Sequence, residues 1–251
     1  NGSLIMDRVL FVVASGGKQL MHAQTLNSHN LANANTVGFQ QDLARFSTQS
    51  VEGPGLSTRA FSTTESAGVT FEKGQIQTTG RPLDVAVNGD GWIAVQAPDG
   101  SEAYTRAGNL KVNINGQLVT GANHPVLGDA GPIVVPEYEK LEIGTDGTIS
   151  VRPIGQQPST LAEVGRIKLV SPEHENLAKG PGGLLRTKDG VEAEASTDVT
   201  LSSGVLESSN VNTIEAMVNM ISLARQFEVS VKVMETAEQM DEQGARIMDL
   251  G

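Results

Sequence analysis

The positions of proline and glycine constrain the fold of this chain more than any other feature. All ten prolines lie between Pro54 and Pro181, and 23 of the 28 glycines lie between Gly38 and Gly204. Both residues interrupt helices. We therefore expect long helices at the two ends and short elements separated by turns in the middle.

The N-terminal end carries an apolar stripe with the spacing of a helix that packs on another helix. Its positions alternate by three and four residues, as in a heptad pattern; they are Met6, Val9, Val13, Gly16, Leu20 and Ala23. Asn27 and Asn30 continue the same stripe. A buried Asn there would fix the packing register at a cost in stability, whereas a frayed, exposed helix end is the alternative. The residues predicted to serve subunit assembly are Val9, Val13, Leu20, Asn27 and Asn30.

The C-terminal end carries a second stripe on a longer predicted helix. Asn212-Thr213-Ile214-Glu215 resembles a capping box with Asn as the cap, and no proline interrupts the chain after it. The pattern predicts a helix over about 213–249, roughly 55 Å long. Such a helix exceeds what a small domain can cover, so its stripe needs a second helix, from its own or a neighbouring subunit. The predicted assembly residues are Met217, Met220, Phe227, Val231 and Met234.

The middle of the chain is predicted to form antiparallel hairpins. Turn signals at Asp99-Gly100, Asn115-Gly116 and Asp146-Gly147 separate short apolar runs. The predicted strands are Leu83–Val87, Trp92–Ala97, Ile133–Val135, Leu141–Ile143, Thr148–Val151 and Arg166–Val170. Short strands at this spacing favour an antiparallel barrel or sandwich over a βαβ fold. The fold class is therefore α+β, a β-rich centre between long terminal helices.

These patterns give a domain plan of five parts. Residues 1–5, "NGSLI", are expected to be a cloning remnant before a native Met6. The N-terminal helix is placed at 6–38 and an extended linker at 39–80, where residues 47–67 are rich in Ser, Thr and Gly. The β-rich domain is placed at 81–204 and the C-terminal helical region at 205–251.

Composition excludes several classes of function. The net charge of −11 disfavours nucleic acid as a partner, because a phosphate backbone attracts Lys and Arg. The chain has no cysteine, which excludes disulfides and thiolate chemistry. The apolar run from Val9 to Ala14 is too short to span a bilayer, and it lacks the basic leader and cleavage site of a secretory signal peptide.

No pattern of catalytic or metal-ligating residues rises above chance. The four histidines lie in no metal-binding arrangement; they are His22, His29, His124 and His174. A weak calcium-loop pattern around Asn113 and Asn115 fails, because Lys111 and Ala122 occupy the first and twelfth positions. Ser15 and Lys18 match the S-x-x-K of Ser/Lys acylating enzymes, but the other motifs of that class are absent. We predict no enzyme activity, cofactor or metal.

Four blocks of sequence resemble those of bacterial flagellar rod and hook proteins. The first, HNLANANTVGF at 29–39, is similar to the N-terminal signature of that family. GDGWIAV at 89–95 and YTRAGNLKVNINGQLVT at 104–120 resemble its core strand motifs, and GVLESSNVNTIEAMVNMISLARQFE at 204–228 resembles its C-terminal motif. The blocks follow the order of the family and span nearly the whole chain. Val37 and His29 depart from the residues that many relatives carry, Pro and Asn.

The resemblance implies a structural subunit of the flagellar rod, and the ending of the first block favours the proximal rod. It also implies that the terminal helices join an inner coiled-coil layer, with the β-rich domain outside. Export in the unfolded state through the flagellar secretion channel would follow, without a cleaved signal peptide. The implied partners are other rod subunits, copies of itself and the export apparatus, with no nucleic acid and no small-molecule substrate.

Three other functions stay open from the sequence alone. The first is a distal-rod or hook-type protein of the same family, which would have different axial neighbours. The second is a Ser/Lys hydrolase that uses Ser15 and Lys18. The third is a β-domain that binds a small ligand or a glycan.

Overall fold

A computed structural model describes residues 2–43, 45–50, 60–65, 68–155 and 161–248 of the chain. The chain divides into two compact units, each made of segments that are distant in sequence. The first, here the helical unit, comprises Asn1–Ala32, Asp42–Gly68 and Asn212–Gly251. The second, the β unit, comprises Asn33–Gln41 and Val69–Val211.

Two long helices, α1 at Gly2–Ala32 and α2 at Thr213–Met248, dominate the helical unit. They pack against each other in antiparallel orientation. Asn27, near the end of α1, donates a hydrogen bond to the carbonyl of Ala216 at the start of α2, while Gly17 faces the ring of Phe227 further along. Helix α1 begins within the residues expected to be a remnant, and it ends six residues before the predicted boundary at 38.

The start of α2 is capped as its sequence predicts. The side-chain oxygen of Asn212 accepts hydrogen bonds from the backbone amides of Ile214 and Glu215, at 3.1 and 3.3 Å. The backbone carbonyl of Asn212 accepts from Ala216 at 2.9 Å. The two side-chain bonds satisfy amides that a helix cannot pair internally.

The helical unit also contains a strand pair where the sequence suggests a linker. Strand β1 at Arg45–Ser50 pairs antiparallel with β2 at Ala60–Glu65, with Arg45 opposite Glu65 and Ser50 opposite Ala60. The interpretation of 47–67 as an extended linker rests on its Ser, Thr and Gly content. The same residues include Thr and Phe, which favour strands.

In its described residues the β unit holds sixteen short strands, and their pairing is antiparallel throughout. They are β3 (Ile76–Thr78), β4 (Val85–Asn88), β5 (Trp92–Gln96), β6 (Glu102–Thr105), β7 (Lys111–Val112), β8 (Leu118–Val119), β9 (Leu127–Gly128), β10 (Gly131–Pro132), β11 (Tyr138–Ile143), β12 (Thr148–Pro153), β13 (Ala162–Arg166), β14 (Leu169–Val170), β15 (Leu177–Lys179), β16 (Leu185–Thr187), β17 (Thr200–Ser203) and β18 (Val205–Glu207).

The largest sheet of the β unit has the strand order β14-β5-β6-β16-β15, and a second has the order β11-β12-β13. The other strands form the pairs β3–β18, β4–β17, β7–β8 and β9–β10. The described strands form open sheets, so the predicted antiparallel pairing is confirmed and they close no barrel. Near the predicted strand Ile133–Val135 the structure has only β10 and an isolated bridge at Val134. Pro132 and Pro136 cannot donate to a ladder there.

The three predicted hairpin turns are present, and each places its glycine at positive φ. Gly100, Gly116 and Gly147 have φ values of 85°, 77° and 85°. They connect β5 to β6, β7 to β8 and β11 to β12. A left-handed backbone costs glycine little, which is why Asp-Gly and Asn-Gly favour these turns.

Two apolar clusters fill the β unit. The larger includes Val85, Ile93, Leu118, Ile149 and Ile167, all almost completely buried. The smaller surrounds Trp92 and Tyr104. Burial raises the pKa of Tyr104 to about 12, and its hydroxyl oxygen accepts a hydrogen bond from the amide of Ala193 at 2.7 Å.

Candidate assembly surfaces

The inner face of α2, which faces α1, matches most of the predicted stripe. Met220, Phe227, Val231 and Met234 are half-buried within the helical unit. Met217 is different, because 53% of its surface is exposed and Ala216 is the buried residue in that turn. The inner face therefore starts one residue earlier than predicted, and one residue is about 100° of rotation around the helix.

Helix α1 contributes Val13, Leu20 and Ala23 to the packing of the helical unit. Ala23 is buried, and Val13 and Leu20 are half-buried. Val9 lies in α1, but its side chain is outside the described residues. Gly17 is buried as well, and a Cβ on it would lie 3.9 Å from Cε2 of Phe227. The small residue thus lets the Phe227 ring approach the α1 backbone.

The two predicted seam asparagines have different roles from one another. The amide nitrogen of Asn27 donates to the Ala216 carbonyl at 2.7 Å, which ties α1 to the first turn of α2. Asn30 is only 3% exposed. Its side chain donates to the carbonyl of Asp42 and accepts from the amide of Asp42, both at 2.9 Å. Asn30 therefore holds the chain that returns after α1.

His29 reinforces the contact with Asp42. Its Nδ1 lies 2.8 Å from Oδ2 of Asp42. Asn30 and His29 thus both contact one residue, Asp42, from the last turn of α1. The polar side chains at the end of α1 therefore attach the following segment, at Asp42, to the last turn of the helix.

One flank of α2 exposes a short series of apolar side chains. Ile214, Met217, Val218 and Ile221 recur at helical spacing, and each is more than half exposed. At about 100° per residue they are centred about 130° around the helix from Phe227. Charged residues follow on the same flank, beginning with Arg225 and Glu228. We call these four apolar residues the ridge.

The other flank of α2 borders an apolar groove against α1. The groove has a volume of about 490 Å³. It is lined by Val13, Gly16, Gln19, Leu20, Leu223, Gln226, Val229, Ser230 and Val233. No lining residue is charged. A Cβ placed on Gly16 would meet no atom within 4 Å, so this glycine leaves open space at the groove.

In the β unit, Gly38 ends the N-terminal asparagine-rich motif in a left-handed conformation that favours glycine. Its φ is 65°. A Cβ there would approach the carbonyl carbon of Arg106 to 2.3 Å, which no side chain tolerates. Its amide donates to the carbonyl of Glu207 at 2.9 Å. The motif therefore requires glycine both for the backbone angle and for the close approach.

The two residues after Gly38 are bound by side chains that no sequence motif indicates. The ring of Phe39 lies under Lys179, whose Nζ is 4.0 Å from the ring centroid. The Gln40 side chain accepts a hydrogen bond from the Trp92 indole at 3.3 Å, and its carbonyl accepts one from Lys179 at 2.8 Å. Lys179 and Trp92 therefore fix this segment to the β unit.

Asn210 holds three segments of the β unit together. Its side-chain oxygen accepts from the amide of Gln41 at 2.8 Å. Its side-chain nitrogen donates to the carbonyls of Thr70 and Glu72, at 3.0 and 2.9 Å. Its own amide donates to the carbonyl of Phe39 at 3.2 Å. These partners are far apart in sequence, and no local pattern indicates them.

A buried ion pair joins Arg106 and Glu207, the two residues that Gly38 contacts. Nε of Arg106 is 2.8 Å from Oε2 of Glu207, and both side chains are almost fully buried. The guanidinium also donates to the carbonyls of Val87 and Gly91, at 3.0 and 2.9 Å. The other oxygen of Glu207 accepts from the amide of Gly74 at 3.0 Å. Charges this well bonded cost much to separate.

The structure gives the residues considered for catalysis and metal binding no shared site. His174 stacks on Phe71, with 4.4 Å between ring centroids, and its ring meets Trp92 edge-on. Ser15 and Lys18 lie on α1, and Lys18 is exposed. Over the described part of the chain, no three His, Asp or Glu residues are grouped to hold a metal ion. Nor does a described helix have the length and apolar character to cross a membrane.

Comparison with known proteins gives matches over both units. The family model described as "Flagellar hook protein FlgE/F/G D1 domain" matches residues 86–151, and "Flagellar basal body rod FlgEFG protein C-terminal" matches residues 202–247. The second match includes the ridge and the inner face of α2.

Individual relatives match along almost the full length. The chain is 40% identical to the flagellar basal-body rod protein FlgF of Salmonella typhimurium, over 98% of this chain and 100% of the relative. It is 41% identical to FlgF of Escherichia coli, over 93% and 95% of the two chains. Identity to the rod protein FlgG of Buchnera aphidicola subsp. Schizaphis graminum is 33%, over 88% and 93%.

Proposed function

The chain belongs to the family of flagellar basal-body rod proteins and is a structural subunit of the proximal rod; we propose that its helical unit is the part that joins other axial subunits. The resemblance found in the sequence is confirmed by the match to FlgF over nearly the full length. Nothing in the comparisons favours a hydrolase that uses Ser15 and Lys18.

The observation that carries the proposal is the ridge. Four apolar side chains, Ile214, Met217, Val218 and Ile221, are more than half exposed on one flank of α2. Each would gain roughly 1.5–3 kcal/mol on full burial. A contiguous exposed apolar surface on a helix is typical of a contact with another protein.

The predicted inner-face residues support assembly in a second way. Met220, Phe227, Val231 and Met234 face α1 of the same chain and are only half-buried. We infer that they first hold α1 and α2 together and that their remaining exposed surface is covered by neighbouring subunits. On α1, the residues proposed to hold the helices together and to contact neighbouring subunits are Val9, Val13, Leu20, Asn27 and Asn30.

The partners in this proposal are copies of this chain and neighbouring axial proteins of the rod. The site of action is the rod where it crosses the periplasm, reached by flagellar export. The chain acts through its shape and contacts and has no enzymatic activity and no cofactor. The lack of charged residues along the groove suits a permanent contact between subunits.

The proposal is tested by placing a charge in the ridge. Ile221→Asp would bury an unpaired carboxylate wherever the ridge meets a neighbour, which is strongly unfavourable. Cells that express only this variant should fail to swim, and isolated basal bodies should lack the protein. Secretion and thermal unfolding of the purified variant should match the wild type, because Ile221 is 57% exposed in the subunit.

A matched control is available in the β unit. Ile154 is 66% exposed, so Ile154→Asp introduces the same charge at a similarly accessible isoleucine. This control should swim normally. Normal swimming by Ile221→Asp, with the variant present in basal bodies, would contradict the proposal.

A further inference from the structure

The ridge and the groove lie on different flanks of α2 and do not meet within one subunit. Relative to Phe227, which faces α1, the ridge is centred about 130° to one side and the groove residues of α2 about 100° to the other. One subunit therefore presents two unlike apolar surfaces. An assembly that joins head to tail without closing needs two such surfaces, since each contact uses a different patch on each partner.

We propose that the ridge of one copy of this chain inserts into the groove between α1 and α2 of the next copy. The inference rests on the proposed function. It names a second copy of the chain as the partner of the ridge and the groove as the surface that the ridge contacts. The occupant is a second copy because the chain itself supplies both halves of the contact. The ridge spans 214–221 on α2, and the α2 wall of the groove spans 223–233, so the groove is long enough to hold the ridge.

The distribution of charge supports contact between copies. The chain carries a net charge of −11, so two copies repel each other unless they meet through uncharged surfaces. None of the groove residues is charged, and neither is any residue of the ridge. Beyond the ridge the same flank carries Arg225, Glu228 and Lys232. On this flank, only the ridge can enter the groove without burying a charge.

The two surfaces also define how neighbouring copies are offset. The centre of the ridge precedes the centre of the α2 wall by about eleven residues, or roughly 16 Å at 1.5 Å per residue. When two neighbouring copies point in the same direction, one α2 helix is therefore shifted by roughly 16 Å along its axis relative to the other. In this arrangement Ile221 of one copy lies near Val233 of the next.

Gly16 has a specific part in this contact. Helix interiors disfavour glycine by about 1 kcal/mol relative to alanine, yet Gly16 stands in the middle of α1, where an added Cβ would meet no atom within 4 Å. Packing inside the subunit therefore does not require a glycine at this position. Its missing side chain keeps the groove open for the ridge of the neighbouring copy.

Cross-linking between cysteine variants of the full chain tests the pairing. The natural sequence has no cysteine, so each introduced thiol is unique. Ile221→Cys protein is mixed with Val233→Cys protein at high concentration and oxidised with copper phenanthroline. We expect a disulfide-linked dimer in the mixture and none in either variant alone. Ile154→Cys mixed with Val233→Cys should give no dimer.

Substitutions at Gly16 check that the cross-link reports the groove. Gly16→Leu in both partners should abolish the dimer, and Gly16→Ala should weaken it, because the added Cβ projects into the open space of the groove. Thermal unfolding of both variants should stay at or above that of the wild type, since the position has free space. An undiminished dimer with Gly16→Leu would contradict a groove that holds the ridge.

Other results would overturn the proposal. Dimer formation by Ile221→Cys alone would indicate a two-fold symmetric contact, and no dimer in the mixture would indicate that copies do not pair this way. In assembled rods, cross-linking of Val233→Cys to a different axial protein would assign the groove to that protein. If Ile221→Asp still blocks motility in those cases, the proposed function stands and this pairing fails.

Discussion

The β unit and the helical unit differ in where they keep their large apolar side chains. The β unit buries most of them, and residues such as Ile93, Leu118 and Ile149 are almost completely inaccessible. Its exposed apolar residues are scattered along the sequence. On α2, by contrast, exposed apolar residues recur at helical spacing in addition to the half-buried inner face.

The difference indicates that the two units are stabilised in different ways. A buried cluster with internal hydrogen bonds and a buried ion pair stabilises the β unit from within. A pair of long helices buries one face of each, and most helical stability in proteins comes from such packing. We therefore expect the helical unit to gain further stability from neighbouring subunits. The following variants test this contrast, from the largest expected effect to the smallest.

Removal of the buried ion pair should strongly destabilise the β unit. Arg106→Leu leaves the buried carboxylate of Glu207 without its partner, which costs about 3–5 kcal/mol. The loss should appear in urea unfolding followed by the fluorescence of Trp92, the single tryptophan. Arg186→Leu breaks a pair with Asp99 that is partly exposed, and it should cost less than about 1 kcal/mol. Equal losses of unfolding free energy in Arg106→Leu and Arg186→Leu would contradict the stabilising role of the buried pair.

Substitution of Gly38 should also lower the free energy of unfolding of the β unit, although by less than the loss of the Arg106–Glu207 pair. Gly38 and Gly80 both have positive φ, 65° and 71°. A Cβ at Gly38 collides with the backbone of Arg106, whereas a Cβ at Gly80 meets nothing within 4 Å. Gly38→Ala should therefore lower the free energy of unfolding by about 1–3 kcal/mol more than Gly80→Ala. Similar values for the two variants would show that only the backbone angle matters.

In the helical unit, Asn30 should contribute more to the free energy of unfolding than Asn27 does. Asn30→Ala leaves the amide and carbonyl of Asp42 without their side-chain partner, at a cost of about 1–3 kcal/mol. Asn27→Ala removes one bond to a carbonyl that the helix already pairs, at about 0.5–1.5 kcal/mol. Hydrogen exchange in the last turns of α1 should rise in that order. Unchanged exchange in Asn30→Ala would mean that the returning chain is held elsewhere.

The smallest effect on the isolated subunit should come from the ridge. Val218 is 60% exposed, so Val218→Ser should change the free energy of unfolding of the monomer by less than about 0.5 kcal/mol. Thermal unfolding measures this directly. A large loss would show that the ridge is already covered within the subunit.

The local features of this fold can be predicted from the sequence. The cap at Asn212 and the three glycine turns depend on residues within a few positions, so short motifs specify them. Four of the five residues named on α2 lie on its half-buried inner face, and their role in assembly stays a prediction. Met217 lies outside that face, because a stripe of large residues does not show that the small Ala216 is the buried one. The pair β1–β2 lies within the segment predicted to be an extended linker, because its Ser, Thr and Gly content does not indicate which residues pair.

The long-range contacts cannot be predicted in this way. Asn210 binds Gln41 and Thr70, and Arg106 binds Glu207, across sequence separations that carry no periodic signal. Gly38 is predicted as a helix stop, but its close approach to Arg106 depends on the assembled β unit. The ridge escapes prediction as well, because a heptad pattern identifies one stripe and the ridge lies on a second apolar flank of α2.

Hydrogen exchange of the whole chain tests the central contrast most directly. The measurement compares amides of β4, β5 and β6 with amides of α2, first in a dilute monomer and then in isolated rods. We predict slow exchange of the β-unit amides in both states, and exchange of α2 amides that is fast in the monomer and slow in rods. Limited proteolysis of the monomer should likewise remove α1 and α2 and leave the β unit, which comprises 33–41 and 69–211. Exchange of α2 in the dilute monomer as slow as that of the β unit would contradict the account.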